Sequence, residues 1–348
     1  MGKSGVMPEP WAEMRELFLK VASGKDLTIQ EAQAAMDAII DGKATCTQLG
    51  AFAAALSMKG EAITEIVGCA LKMQERVAPL DLKKEGLVDV IGTTRGGTDT
   101  FSISTAAALV AAAAGVKLAK QAVRGANGRH ASAETLIALG VNVDVGVNTL
   151  QRCLNEVGIC FIDMLAYNDI LKRLHGPLRE LGSRTIFDLL GPISNPARVK
   201  RQVIGVTSEK QTEVVSLVLK KLGMQHAMVV YGLDGLGNIT TSGKTKVCEL
   251  AAGQIQNYYL SPEQFGIAKS PLTALKASSA EDSALMVNEV LNGRSGPARD
   301  VVVLNAGAVI RVGGFASSIE KAIEVARRSI DGGRAKAVME RLIKLTQL

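Results

Sequence analysis

The stretch that most limits what this chain can fold into is Leu87-Val88-Asp89-Val90-Ile91-Gly92, a β-branched run that enters a Gly/Thr-rich turn and then an alanine-rich helix over residues 104–114. Strand, glycine turn and helix in that order open an α/β unit. Further short apolar runs at 159–162, 203–206, 227–231 and 300–304 read as buried strands, and helical stretches at 209–222 and 318–331 lie among them. Such alternation predicts a mostly parallel sheet flanked by helices.

The first eighty residues differ in character. Thr28 with Glu31 makes a capping box, and Ile29, Ala32, Met36, Ile39 and Ile40 follow at helical spacing until Asp41-Gly42 stops the run. Residues 47–59 and 64–77 give two more helices, closed by Gly60 and Pro79. The expected class is therefore α/β, with a small all-helical N-terminal domain over 1–80 and a large domain over 85–348 whose mostly parallel sheet is flanked by helices.

Composition narrows the function. With 47% hydrophobic residues in 348, the chain can bury a sizeable core, which excludes disorder. Aromatics at 3% argue against a stacking platform for single-stranded nucleic acid. A net charge of +6 suits an anionic ligand. The five cysteines lack a C-x-x-C pair and read as reduced core thiols of a cytoplasmic protein. His130, His175 and His226 show no zinc spacing, so a metal would need oxygen ligands. The longest apolar run, residues 106–114, is too short to span a bilayer, so no membrane is expected.

The turn after Gly92 carries the first candidate site. Thr93, Arg95 and Gly97 precede a helix start at Ser104 and Thr105, where backbone N–H groups and the positive helix end suit an anion. Neither G-x-G-x-x-G nor the P-loop pattern is present, so by itself this is equally a tight turn.

The string R-T-I-F-D-L-L-G-P-I-S-N-P-A over 184–197 is more specific: with Arg179-Glu180-Leu181-Gly182 before it, it resembles the anthranilate phosphoribosyltransferase family. The likeness extends to Leu27-Thr28, Lys59-Gly60-Glu61, Thr100-Phe101, residues 138–142 and Gly296-Pro297-Ala298-Arg299-Asp300. The resemblance implies a helical domain joined by helices from about 163–183, a homodimer, and Mg²⁺-dependent transfer of ribose 5-phosphate from phosphoribosyl pyrophosphate to an amine. It places Gly92, Thr93, Arg95, Gly97, Ser104, Thr105, Lys120, Arg124 and Arg129 around the donor phosphates, Ser104 also on the metal, and Arg179 at the acceptor. No residue is assigned a catalytic role.

Several positions depart from the family pattern. Thr94 and Arg95 fill two glycine slots, Gly96 stands for the loop aspartate, and Ser102 replaces an asparagine. Val123 stands for an acceptor-site asparagine, and Asn127 and Gly128 for phosphate-binding serines. Gly237-Asn238 follows Asp234-Gly235-Leu236 where the family carries two metal carboxylates, leaving Asp234 and Glu249 as the acids to consider. The expected function is therefore a divergent phosphoribosyltransferase acting on an aromatic or other nitrogen acceptor. In it Arg95, Arg124 and Arg129 supply charge that Mg²⁺ would otherwise bring. Two alternatives stay open: a non-catalytic relative binding nucleic acid or another polyanion through a basic cleft, and an inactive dimer partner.

Overall fold

The computed structural model describes residues 12–92, 99–125 and 131–347. In chain order the first helices are α1 (Ala12–Ala22), α2 (Ile29–Ile40), α3 (Cys46–Lys59) and α4 (Ile63–Arg76). Then come β1 (Val88–Gly92), α5 (Ile103–Ala113), β2 (Leu118–Ala122), α6 (Ser132–Ala138), α7 (Val147–Glu156) and β3 (Ile159–Asp163). Helices α8 (Asp169–Glu180) and α9 (Phe187–Ile193) lead to β4 (Arg201–Gly205), α10 (Glu209–Lys221), β5 (His226–Gly232), β6 (Thr245–Ala251) and β7 (Gln254–Leu260). The chain ends in α11 (Ala280–Leu291), α12 (Pro297–Gly313), α13 (Ile319–Asp331) and α14 (Arg334–Thr346). These elements form two compact units: one holds the chain up to Ala78 together with Asp169–Ser194, the other Pro79–Asn168 and the chain from Asn195 on.

In the helical unit, threonines start the helices. Thr28 and Thr45 each accept the N–H three residues on, and Glu31 and Gln48 return the bond to complete two capping boxes. Glu65 of α4 is wholly buried, yet its carboxylate accepts the N–H groups of Leu27 at 3.0 Å and Ala62 at 2.7 Å and pairs with Lys59 at 3.0 Å. A buried charge met on three sides fixes the α2 and α4 starts instead of destabilising them.

The α/β unit is built on a seven-stranded sheet in the order β3-β2-β1-β4-β5-β6-β7. The first five strands of that order pair in parallel, and β6 and β7 add antiparallel neighbours. Ala252 and Gly253, both at positive φ (47° and 74°), make the two-residue turn between β6 and β7, the geometry that a right-twisted hairpin requires. Helix α5 is buried from Ile103 to Ala112 with only Ser104 less than fully covered, as expected for a helix that is apolar all round.

Two sequence expectations are corrected. Residues 300–304 are not a strand; they lie inside α12, whose start is set by Pro297 in the first turn and whose residues from Val301 to Ile310 are all buried. A helix enclosed on every side loses the 3.6-residue periodicity that distinguishes it from a buried strand. Four cysteines are core thiols, but Cys46 is exposed because it opens α3 directly after the Thr45 cap. Strands β2, β6 and β7 went unread: β2 carries Lys120 and Gln121 in a wholly buried segment, a composition that does not read as a strand. Among the described residues no helix is long and apolar enough to cross a membrane.

Candidate functional site

Strand order locates the candidate site before any side chain is considered. From β1 the sheet grows through β2 to β3 on one side, and the chain then returns to place β4 on the other side of β1. Ligands of open α/β sheets bind in the crevice at such a reversal, outside the carboxyl ends of the strands. Here those ends are Gly92 of β1 and Gly205 of β4, which are register partners.

Gly205 is needed there. A Cβ at this position would fall 1.7 Å from the carbonyl oxygen of Gly237, so the backbone of the loop after β5 lies directly on the end of β4. That loop is closed by Asp234. Its carboxylate accepts the N–H of Leu236 at 3.1 Å and the hydroxyls of Thr240 at 2.6 Å and Ser242. Asn238 donates to Asn305 at 3.4 Å, and Asn305 in turn holds both backbone groups of Ile239.

On the β1 side, Gly92 is followed by residues 93–98, so Thr93, Arg95 and Gly97 lie outside the described residues, as does Arg129 further on. The chain reappears at Asp99, whose carbonyl accepts the N–H of Ala277, while Phe101 donates to Leu275. This pins the approach to α5. Ser102, just ahead of the helix, donates its N–H to the Ser283 hydroxyl and its own hydroxyl to Thr135, both at 2.9 Å. Ser104 and Thr105 follow in the first turn. Thr105 is fully buried and its hydroxyl oxygen has no hydrogen-bond partner among the described residues.

Lys120 is also enclosed. Its ammonium donates to the Gln121 carbonyl at 3.2 Å near the end of β2, and burial lowers its pKa to about 8, with the Asp89 charge opposing the fall. Asp89 on β1 is equally buried, which raises its pKa against the pull of Lys120. It accepts from the Gln121 backbone at 3.1 Å, the Gln121 amide at 2.9 Å and the Asn195 amide at 2.9 Å. Asn195 also donates to the Ala119 carbonyl at 2.9 Å, so this family-motif residue holds the strands in place.

Arg124 projects just past the end of β2. Its Nε donates to Asp163 at 2.6 Å and a terminal nitrogen to Asp144 at 2.5 Å. Next to it, Glu134 accepts the N–H of Gly125 with both carboxylate oxygens, so the arginine stands among three acids. Sequence reading missed Asp163 and Asp144; an aspartate ending the apolar run Ile159-Cys160-Phe161-Ile162 was the available signal. Thus Gly92, Ser104, Thr105, Lys120 and Arg124 belong to β1, α5, β2 and the loop after it. Arg179 belongs to the helical unit, where it is exposed in the last turn of α8.

A Mg²⁺ held by resident carboxylates does not fit these residues. Both oxygens of Asp234 are committed within its own loop. Glu249 is corrected as a candidate: it pairs with Met228 near the start of β5, toward the opposite end of the sheet from Gly205 and Gly232. There it meets His226 at 2.8 Å, Tyr258 at 2.7 Å and Arg311 at 3.5 Å. No group of three or more acidic, histidine or cysteine side chains among the described residues could hold a metal.

Residues 15–77 match the helical bundle domain, and residues 84–336 the a/b domain, of the glycosyl transferase family. The anthranilate phosphoribosyltransferase of Acetivibrio thermocellus is 41% identical over 333 residues, 96% of each chain. That of Anaeromyxobacter sp. is 42% identical over 96% of this chain and 98% of its own. Among solved structures, anthranilate phosphoribosyltransferase from Thermus thermophilus superposes with a TM-score of 0.89 at 33% identity, covering 95% of this chain and 99% of that one. The Saccharomyces cerevisiae enzyme in complex with PRPP and Mg shares the fold at a TM-score of 0.85 and 22% identity, over 97% and 98%. With likeness of this extent through both the helical and the α/β parts, the chain belongs to the anthranilate phosphoribosyltransferase family.

Proposed function

We propose that this protein transfers a phosphoribosyl group from phosphoribosyl pyrophosphate to a nitrogen acceptor. The observation that carries this reading is the buried hydroxyl of Thr105 in the first turn of α5, which has no hydrogen-bond partner among the described residues. A hydroxyl left without a partner costs stability, and it fits a site whose partner is a ligand. The start of α5 adds a positive dipole end suited to the donor's diphosphate. Buried Lys120, near the end of β2, supplies a cation. Charge placed before the reaction lowers the barrier to a diphosphate leaving group, because the dipoles do not reorganise as charge develops.

The acceptor named by the relatives is anthranilate, and it is the first amine to test. Val123 has no side-chain hydrogen bond to offer an acceptor carboxylate, which favours an aromatic or other nitrogen acceptor of different polarity. Arg179, which matches the family's acceptor-carboxylate arginine, is the proposed acceptor contact. A Mg²⁺ bound at the donor site would supply positive charge to the leaving diphosphate, with the Ser104 hydroxyl as its proposed protein contact. We further infer a cytoplasmic homodimer joined through the helical unit, where Leu19 and Met58 are exposed on α1 and α3.

The test is titration of phosphoribosyl pyrophosphate with and without Mg²⁺, followed by pyrophosphate release on adding anthranilate or other aromatic amines. Binding that persists without Mg²⁺, and release with at least one amine, is the expected outcome. Absence of donor binding in both conditions overturns the reading.

A further inference from the structure

The two carboxylates that hold Arg124 are unlike each other. Asp163 is 2% exposed in its side chain and fixed from behind, its second oxygen accepting the N–H of Leu165 at 2.9 Å and of Ala166 at 3.3 Å. It cannot leave the guanidinium without abandoning a buried charge. Asp144 is 67% exposed and meets Arg124 through a single contact. Its backbone is anchored independently of that contact. The Asp144 N–H donates to the Asn142 side chain at 3.0 Å, and the next carbonyl, Val145, accepts the Tyr167 hydroxyl at 2.7 Å. A turn of the Asp144 side chain alone therefore frees one edge of the arginine, with the loop and Asp163 left in place.

We propose that Asp144 is an exchangeable counterion on Arg124, giving way to a phosphoryl oxygen of the donor. This rests on the reading that the donor diphosphate binds at the start of α5, outside the carboxyl ends of the parallel strands. Arginine forks donate to phosphate oxygens with the same planar geometry as to carboxylate oxygens. Asp163 keeps the guanidinium oriented throughout the exchange, so Asp163 acts as a positioning residue and Asp144 as a competitor of the ligand. The exchange keeps the arginine compensated when the site is empty and sets a threshold on anion binding.

The test is calorimetric titration of the full chain with inorganic pyrophosphate, without Mg²⁺ and at low ionic strength. It compares the natural protein, Asp144→Asn, and Asp81→Asn as an exposed acid of the same unit that changes net charge equally. Asp144→Asn is expected to bind about three- to fivefold tighter, the range an exposed ion pair can withhold, with the gain shrinking as salt is added. Asp81→Asn is expected to leave affinity unchanged. Equal affinity of Asp144→Asn and the natural protein, or an equal gain from Asp81→Asn, overturns the exchange and leaves the donor-site reading standing. No binding by any of the three overturns both.

Discussion

Asp89 and Lys120 stand on adjacent parallel strands, both wholly buried, and each charge opposes what burial does to the other. Asp89→Asn removes the charge and turns one accepting oxygen into a donor, so the Lys120 pKa is expected to fall below its present value of about 8. NMR titration of labelled lysine reads this directly. The loss of stability, on the order of 3 kcal/mol at pH 7 as for a broken buried pair, is expected to shrink as pH rises through 8. There the neutral amine no longer needs a carboxylate.

Thr105→Val should separate stability from binding. Removing a buried hydroxyl that has no partner among the described residues relieves its desolvation cost, so unfolding free energy is expected to hold or rise by about 1 kcal/mol. Donor affinity, measured by titration, is expected to drop about tenfold or more if that oxygen meets a phosphate, which corresponds to a charge-assisted bond of roughly 1.5–3 kcal/mol lost. A variant that binds the donor normally would remove the main support for the proposed site.

Gly205→Ala should be costly despite adding one methyl group. The clash is with the Gly237 backbone, not with a flexible side-chain end, so the loop over residues 233–238 must move. Denaturant unfolding is expected to show a loss of about 1–3 kcal/mol, the range for overpacking. Unchanged stability in the alanine variant would mean that the loop is free to lift.

Glu249 provides the acid-side prediction. Burial works to raise its pKa, but the bonds from His226 and Tyr258 and the Arg311 charge outweigh it and hold the carboxyl below the usual glutamate range. A depressed folded pKa gives stability that is present above the unfolded value near 4.5 and is lost as pH falls through the folded value. The stability gap between the natural protein and Glu249→Gln, followed by thermal melting, is therefore expected to narrow below about pH 4.5 and to be steady above about pH 5.5.

Local signals carried most of the fold. Thr28 and Glu31 capped a helix where the spacing predicted, and the β-branched runs at β1, β3, β4 and β5 became strands in a mostly parallel sheet. Residues 300–304 misled because α12 is enclosed on all sides, which erases the polar face that marks a helix. Strand β2 was invisible for the converse reason. Its Lys120 and Gln121 are balanced by Asp89 and Asn195 from distant parts of the chain, and no window of sequence contains both halves of that arrangement. At the candidate site, the residue types at Ser104, Thr105 and Lys120 were legible from resemblance. The acids that occupy Arg124 were not, because pairing with Asp144 and Asp163 is decided by how the segment after β2, the end of β3 and the segment before α7 come together.

The helical unit is assembled from two stretches of chain separated by ninety residues of the other unit, since Asp169–Ser194 joins the segment that ends at Ala78. On a ribosome, α1 to α4 emerge early and must wait for α8 and α9, while β1, β2 and β3 are already available to begin pairing. A fragment cut near residue 80 would leave uncovered the faces that α8 presents to α3 and α9 presents to α4. The unit's maturation is thus timed by the synthesis of its host, and a chain interrupted before Ser194 yields neither part complete.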